Sequence, residues 1–284
     1  MIQFLQDLCS PNGRLLAAGL VAGLLASLAC GLIGPYVVTR RIVFLSGAIA
    51  HMAVGGIGAA LFLATMFPAG FSWLQPIHGA MAAALGGAVI IGLVHQRVAE
   101  QMDTLIGALW ATGMALGLLL IKYTPGYHGE LMSYLFGNIG LVGWDDVWLM
   151  CALDAVIVVM VLLWHKRFLA VCLDEEQAAL QGINVLGVNI VLLCLVALTV
   201  ICLTQVVGLI LVIALLCLPA ATAAHHVTRM GPLLAASTVL CALLTTLPRI
   251  AVYDTSISAG SAIVLTAGLV YLASVLFRRR VGGR

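Results

Sequence analysis

Long apolar stretches separated by short polar segments fill almost the whole chain of 284 residues. Each stretch holds about 20 residues with few charges, the length that a helix needs to cross a bilayer. The pattern predicts nine spans, or eight if the weakest division, near Gln205, is not a break. The predicted spans are 14–38, 42–66, 77–95, 104–121, 147–164, 186–204, 206–224, 232–248 and 257–277. A shorter apolar run at 131–143 is predicted to be an interfacial or re-entrant helix.

Composition places the chain among membrane proteins. Hydrophobic residues make up 63% of it and charged residues 8%, against roughly 45–50% and 25% in soluble domains. We therefore predict an all-α polytopic helical bundle, surrounded by membrane lipid, that forms a single transmembrane domain over residues 1–284. The formal net charge of +2 gives no indication of a nucleic-acid partner.

Lysine and arginine are distributed unevenly between the two sides of the predicted bundle. If Arg40 and Arg41 are cytoplasmic, ten basic residues lie inside, and only Arg14, Lys122 and Arg249 lie outside. Because cytoplasmic loops carry the excess of positive charge, we predict an N-terminus outside and a cytoplasmic C-terminus.

The second apolar run, IVFLSGAIAHMAVGGIGAALFL, contains one ionisable residue, His51. Gly47, Gly55 and Gly58 share its helical face, at four residues before it and at four and seven after it. Two interpretations stay open. The small residues either let another helix approach, with His51 hydrogen-bonded across the interface, or leave space beside a ligand-binding imidazole. Asp154 is the other ionisable residue predicted well inside a span.

Sequence signatures of the common enzyme classes are missing. The chain has no G-x-x-x-x-G-K-[ST] phosphate-binding loop, no H-E-x-x-H helix and no G-x-S-x-G turn. We therefore predict that it is not an enzyme. A channel, a secondary transporter and the membrane part of a pump powered by another chain remain. The eight cysteines form no C-x-x-C pair and are interpreted as small packing residues.

A short helix is predicted in the longest cytoplasmic loop, HKRFLAVCLDEEQAALQGINV. Asp174 suits its N-cap, and Gln177 occupies the capping-box position. Glu175 and Glu176 lie at the positive end of the helix dipole, and Gly182 suits the C-terminal stop. A helix of two turns is not stable alone. It must pack on its own bundle or insert into a partner protein, and both interpretations stay open.

Six stretches occur in an order that is typical of one family of permeases. They are RRIVFLSGAIAHMAVGGIG (40–58), MDTLIGALWATGMALGLLLI (102–121), SYLFGNI (133–139), LDEEQAALQGINV (173–185), VVGLILVIALLCLPAATAA (206–224) and SAGSAIVLTA (258–267). In these stretches, and over nearly its whole length, the chain resembles the permeases of the ABC-type zinc/manganese/iron uptake family.

The resemblance implies a set of partners and a location. It implies a second permease subunit, expected to form a homodimer, and a separate ABC ATPase subunit docked on each permease. A periplasmic or surface-tethered binding protein would deliver the metal at a prokaryotic plasma (inner) membrane. No permanently bound cofactor is expected, because the divalent metal is transported. The residues expected to couple to the ATPase are Asp174, Glu175, Glu176, Ala178, Ala179 and Gly182.

The resemblance also gives His51 a role. The family's pattern G-D-A-L-S-H-A-x-L-P-G places its metal-contacting histidine on His51, but its Asp falls on Gly47 and its Pro on Gly55. The lost carboxylate favours zinc, because manganese prefers oxygen ligands whereas imidazole suits zinc. Asp154 matches no family motif. It is a candidate to supply a carboxylate to the metal pathway from another helix, and the alternative is that it pairs with a polar neighbour.

These observations predict the membrane permease subunit of an ATP-driven, alternating-access importer of divalent metal ions. Zinc is favoured, with manganese and iron as the other candidates. One alternative is a permease for a metal chelate such as a siderophore or haem, in which His51 would be incidental. The second is a secondary metal carrier that works without an ATPase. His225 and His226, near the cytoplasmic end of the seventh span, are interpreted first as interfacial residues and second as exit-lining residues.

Overall fold

The computed structural model describes residues 13–95, 102–125, 142–255 and 258–281. All regular structure in these ranges is helical, as predicted. The helices are α1 (Gly13–Thr39), α2 (Val43–Met66), α3 (Pro68–Phe71), α4 (Pro76–His95), α5 (Met102–Tyr123), α6 (Trp144–Leu173), α7 (Glu175–Leu180), α8 (Val185–Val207), α9 (Leu209–Ala224), α10 (Met230–Ala251) and α11 (Ala259–Val281). The predicted re-entrant segment lies, apart from its last two residues, outside the described ranges.

Eight helices of the described chain are long and apolar enough to cross a membrane. They are α1, α2, α4, α5, α6, α8, α10 and α11. The seventh predicted span corresponds to α9, which has only 16 residues. The chain breaks between α8 and α9 at Gly208, three residues beyond the predicted division at Gln205. Gly208 has a φ of 76°, a conformation that glycine adopts without a steric penalty, and this explains the position of the break.

The helices fall into two compact units, each of which we describe by itself. Unit 1 comprises Met1–Arg41, Tyr134–Leu163 and Cys202–Arg284, and unit 2 comprises Ile42–Ser133 and Trp164–Ile201. Two long helices, α6 and α8, therefore contribute residues to both units. The single permease domain stays a prediction.

In unit 1, α1 packs against α10 and α9. Gly31 allows the close approach of α10, since a Cβ atom at this position would overlap the backbone and side chain of Thr238. Further along the same pair of helices, the hydroxyl groups of Ser27 and Thr245 are hydrogen-bonded at 2.8 Å. Small residues combined with an interhelical hydrogen bond are the usual means of packing helices in a bilayer.

In unit 2, α2 packs against α5 and α4. Two glycine pairs form the contact with α5. A Cβ atom on Gly55 would lie 2.9 Å from the carbonyl oxygen of Gly113, and one on Gly58 would lie 2.5 Å from that of Gly117. Gly55 and Gly58 of the predicted glycine face are therefore confirmed as packing residues, and they bring the backbones of α2 and α5 together.

Candidate metal site and coupling segment

His51 lies in the first half of α2 and is half-buried. Its ring contacts that of Trp110 in α5, with the ring centroids 4.5 Å apart and the planes tilted by 31°. This contact lies between α2 and the neighbouring helix. Trp110 was not among the predicted site residues, because its contact with His51 comes from the packing of α5 on α2.

The hydrogen bond of His51 defines which ring nitrogen is open. Nδ1 lies 2.9 Å from the carbonyl oxygen of Gly47, one helical turn earlier. Because a carbonyl only accepts, the neutral ring carries its hydrogen on Nδ1 and keeps a lone pair on Nε2. Nε2 makes no hydrogen bond with any described residue. Metal-binding imidazoles are commonly held in this way, with the opposite N–H donated to a carbonyl or carboxylate.

Gly47 contributes its backbone carbonyl instead of a side chain. Helix α2 contains no acidic residue, so a carboxylate ligand would have to come from outside this helix. Within the described ranges, no group of three or more His, Cys, Asp or Glu side chains is arranged to hold a metal ion. What α2 provides at this position is one oriented imidazole.

Asp154 lies in the part of α6 that belongs to unit 1, whereas His51 belongs to unit 2. Asp154 is 3% exposed, and neither carboxyl oxygen has a hydrogen-bond partner among the described residues. An ionised carboxylate without a partner is very unfavourable in an apolar interior. The group is therefore either neutral or neutralised by a cation.

The predicted N-cap of the short helix α7 is confirmed. The Asp174 carboxylate accepts hydrogen bonds from the backbone N–H groups of Glu176 at 2.9 Å and Gln177 at 3.0 Å. The return bond of a capping box is not formed, because the backbone N–H of Asp174 donates to the carbonyl of Ala170 at 3.1 Å. The last turn of α6 thus already satisfies the donor that Gln177 was predicted to meet.

The predicted C-terminal stop of α7 is confirmed as well. Gly182 has a φ of 79°, and its N–H donates to Ala179 at 2.9 Å, while that of Ile183 donates to Ala178 at 3.1 Å. These two bonds form a Schellman motif, which requires a left-handed residue at the position of Gly182.

Helix α7 has one face on its own bundle and one face outside it. Ala178 is 1% exposed, and the carboxylate of Glu175 accepts a hydrogen bond from the amide of Asn189 in α8 at 3.4 Å. On the outside, Leu180 is 89% exposed and Leu173 is 74% exposed. Leu173, at the end of α6, was not among the predicted coupling residues. Of the predicted coupling residues, Ala178 is therefore a packing residue, and large exposed apolar side chains flank α7.

Comparisons with known proteins agree on one family. The model of the ABC 3 transport family matches residues 13–278. A probable metal transport system membrane protein of Chlamydia muridarum is 37% identical, over 98% of this chain and 93% of that protein. The manganese transport system membrane protein MntC of Listeria monocytogenes is 28% identical, over 94% and 92%. A chain of the solved structure of PsaBC from Streptococcus pneumoniae in complex with Fab superposes with a TM-score of 0.84 at 28% identity, over 96% and 95%.

Proposed function

This chain belongs to the ABC 3 transport family, and from that premise we propose that it is the membrane-spanning permease subunit of an ATP-driven importer of divalent metal ions. ATP hydrolysis is assigned to a partner subunit. The chain itself has no sequence motif for phosphate binding.

The orientation of His51 is the observation that carries this proposal. Its Nδ1–H is bound to the carbonyl of Gly47, its ring lies on Trp110, and its Nε2 is open. We assign Nε2 as a transient ligand of the transported metal. A single imidazole binds a divalent ion weakly, which suits a site that must release the ion again during each transport cycle.

Zinc is the favoured metal in this proposal. The absence of a side chain at Gly47 leaves an imidazole without a neighbouring carboxylate on α2, and imidazole suits zinc better than it suits manganese. The name of the Listeria relative favours manganese instead. Uptake of the two ions measured side by side in the same cells decides between them.

Asp154 is the second proposed residue on the metal pathway. Its two carboxyl oxygens have no hydrogen-bond partner in the part of the chain that the structure describes, so they need a proton or a cation. A divalent metal in transit would be such a cation. In this proposal the carboxylate of Asp154 and the imidazole of His51 contact the metal from different helices, α6 and α2.

Helix α7 is proposed as the coupling element that docks on the ATPase. The exposed side chains of Leu173 and Leu180 support this assignment, because large apolar side chains on a cytoplasmic segment favour contact with a partner protein. ATP binding in the partner would move α7, and the bundle would then open to the opposite side of the membrane.

The proposed assembly also contains a second copy of the permease, which forms a homodimer with the first, and an external binding protein. The N-terminus of the chain is proposed to lie on the outer side of the membrane.

Docking of α7 is tested through Gly182. No atom lies within 4 Å of a Cβ built there, so a substitution acts only through the left-handed backbone. Gly182→Val should reduce co-purification of the ATPase and metal uptake, whereas Gly182→Asn should retain both, since asparagine tolerates this conformation. Equal co-purification with the two variants would remove the docking role. Leu180→Glu, on an exposed side chain, should weaken docking with no effect on thermal stability.

The function itself is tested by radiolabelled zinc and manganese uptake in cells that carry the chain with its ATPase and binding protein. Uptake should disappear when the ATPase carries an inactivating substitution. Uptake that continues would indicate a secondary carrier. Transport of an intact metal chelate, with no transport of the free ion, would indicate the chelate permease.

A further inference from the structure

Two adjacent histidines at the end of α9 converge on one hydroxyl group. Nδ1 of His225 lies 2.8 Å from Oγ of Ser274 in α11, and Nε2 of His226 lies 3.2 Å from the same oxygen. The ring of His225 also stacks on Tyr271, with the centroids 5.6 Å apart. All four residues belong to unit 1.

The two histidines follow directly after the last residue of α9. Neighbouring residues of an α-helix point about 100° apart, so adjacent side chains rarely meet the same atom. Here the chain leaves the α-helix after Ala224, and the N–H groups of His225 and His226 bond to carbonyls three residues earlier, those of Thr222 and Ala223. The two imidazoles reach Ser274 through different ring nitrogens, Nδ1 of His225 and Nε2 of His226.

The chemistry of the shared hydroxyl shows what the pair can bind. Ser274 carries one hydroxyl proton, so it donates to one ring nitrogen and accepts from an N–H of the other. If the second ring takes its other neutral tautomer, both contacting nitrogens present lone pairs to the same small volume. No proton has to leave for this change, and two imidazole lone pairs directed at one place are a donor set for zinc.

We propose that His225 and His226, assisted by Ser274, form a divalent-metal site separate from His51, with zinc as the ion that it fits best. His226 is exposed and His225 is half-buried, so an ion can reach the pair from solvent and leave it again. The negative end of the dipole of α9 also favours a cation there. This proposal depends on the proposed function in one respect only, which is that the importer supplies the metal that the site binds.

Equilibrium dialysis of zinc with the full-length chain tests the site. His51 is first replaced by Ala and Asp154 by Leu, so that the other two proposed metal contacts do not contribute. We expect this chain to bind zinc, and His226→Gln to weaken the affinity at least about tenfold, because glutamine can still hydrogen-bond to Ser274 but is a poor zinc ligand. His226 is exposed, so the variant should fold. His78→Gln, on another exposed histidine, is the matched control and should leave the affinity unchanged.

Unchanged zinc affinity in the His226→Gln variant would overturn the site, and so would the absence of zinc binding in the chain that retains both histidines. Neither measurement depends on metal uptake, so the site at His225 and His226 can be disproved without disproving the proposed import function. A chain that binds zinc at this pair but imports no metal contradicts the proposed function and leaves the site intact.

Discussion

His51 and Asp154 are both ionisable side chains within apolar helices, yet their surroundings differ. His51 is held at one nitrogen by the carbonyl of Gly47 and at its ring face by Trp110, which leaves Nε2 open. Asp154 is almost fully buried, with no hydrogen bond among the described residues to orient either oxygen. The first arrangement defines an atom and a direction for a ligand. The second shows only that a proton or a cation must neutralise the group.

The orientation of His51 depends on the glycine contact between α2 and α5, and breaking this contact should have the largest effect. Gly58→Leu would place a side chain against the carbonyl of Gly117. Because the neighbour is backbone, it cannot move aside, and we expect a loss of at least about 1–3 kcal/mol of stability. The thermal midpoint and yield of the detergent-purified chain measure it.

Gly107 on α5 offers the matched control for this variant. No atom lies within 4 Å of a Cβ built at Gly107, so Gly107→Leu should leave the midpoint and the yield unchanged. Equal effects of the two substitutions would mean that the close approach of α2 and α5 does not determine the stability of unit 2.

The next largest effect should come from His51 itself. His51→Ala removes Nε2, and we expect zinc uptake to fall by about a hundredfold, or roughly 2.7 kcal/mol, with expression and ATPase docking unchanged. His51→Asn should fail equally, since its amide can restore a hydrogen bond but is a poor zinc ligand. If Asn restores uptake, His51 is a packing residue and the ligand role is wrong.

The difference between His51 and Asp154 also explains what the sequence could predict. The caps of α7 were predictable because Asp174 and Gly182 form their hydrogen bonds with residues that are close to them in sequence. The glycine face of α2 was predictable from helical spacing alone. The contact of His51 with Trp110 and the burial of Asp154 come from packing between helices. No local pattern encodes these contacts, so the sequence identified both ionisable residues but not the surroundings that distinguish them.

Replacing Asp154 tests whether a metal ion or a proton neutralises its carboxylate. Asp154→Leu removes a buried carboxyl group that has no hydrogen-bond partner among the described residues, and it should raise the free energy of unfolding by about 1–3 kcal/mol. On the pathway proposal the same change should lower zinc uptake by about tenfold, or roughly 1.4 kcal/mol. A thermal melt and an uptake assay on the same variant separate these effects. Full uptake together with increased stability would mean that Asp154 is a neutral packing residue and does not bind metal.

The smallest effect should come from restoring a carboxylate beside the imidazole. It should change the preference between zinc and manganese without abolishing uptake. Gly47→Asp places a hard oxygen ligand one helical turn from His51. The backbone carbonyl of residue 47 remains available to Nδ1 of His51, so the open Nε2 keeps its direction. We expect the zinc-to-manganese uptake ratio to fall by about threefold, or roughly 0.6 kcal/mol, because manganese gains more than zinc from an added oxygen ligand. Gly47→Asn supplies a similar shape without the charge and should give a smaller change. An unchanged ratio in both variants would mean that position 47 does not face the metal and that the zinc preference has another source.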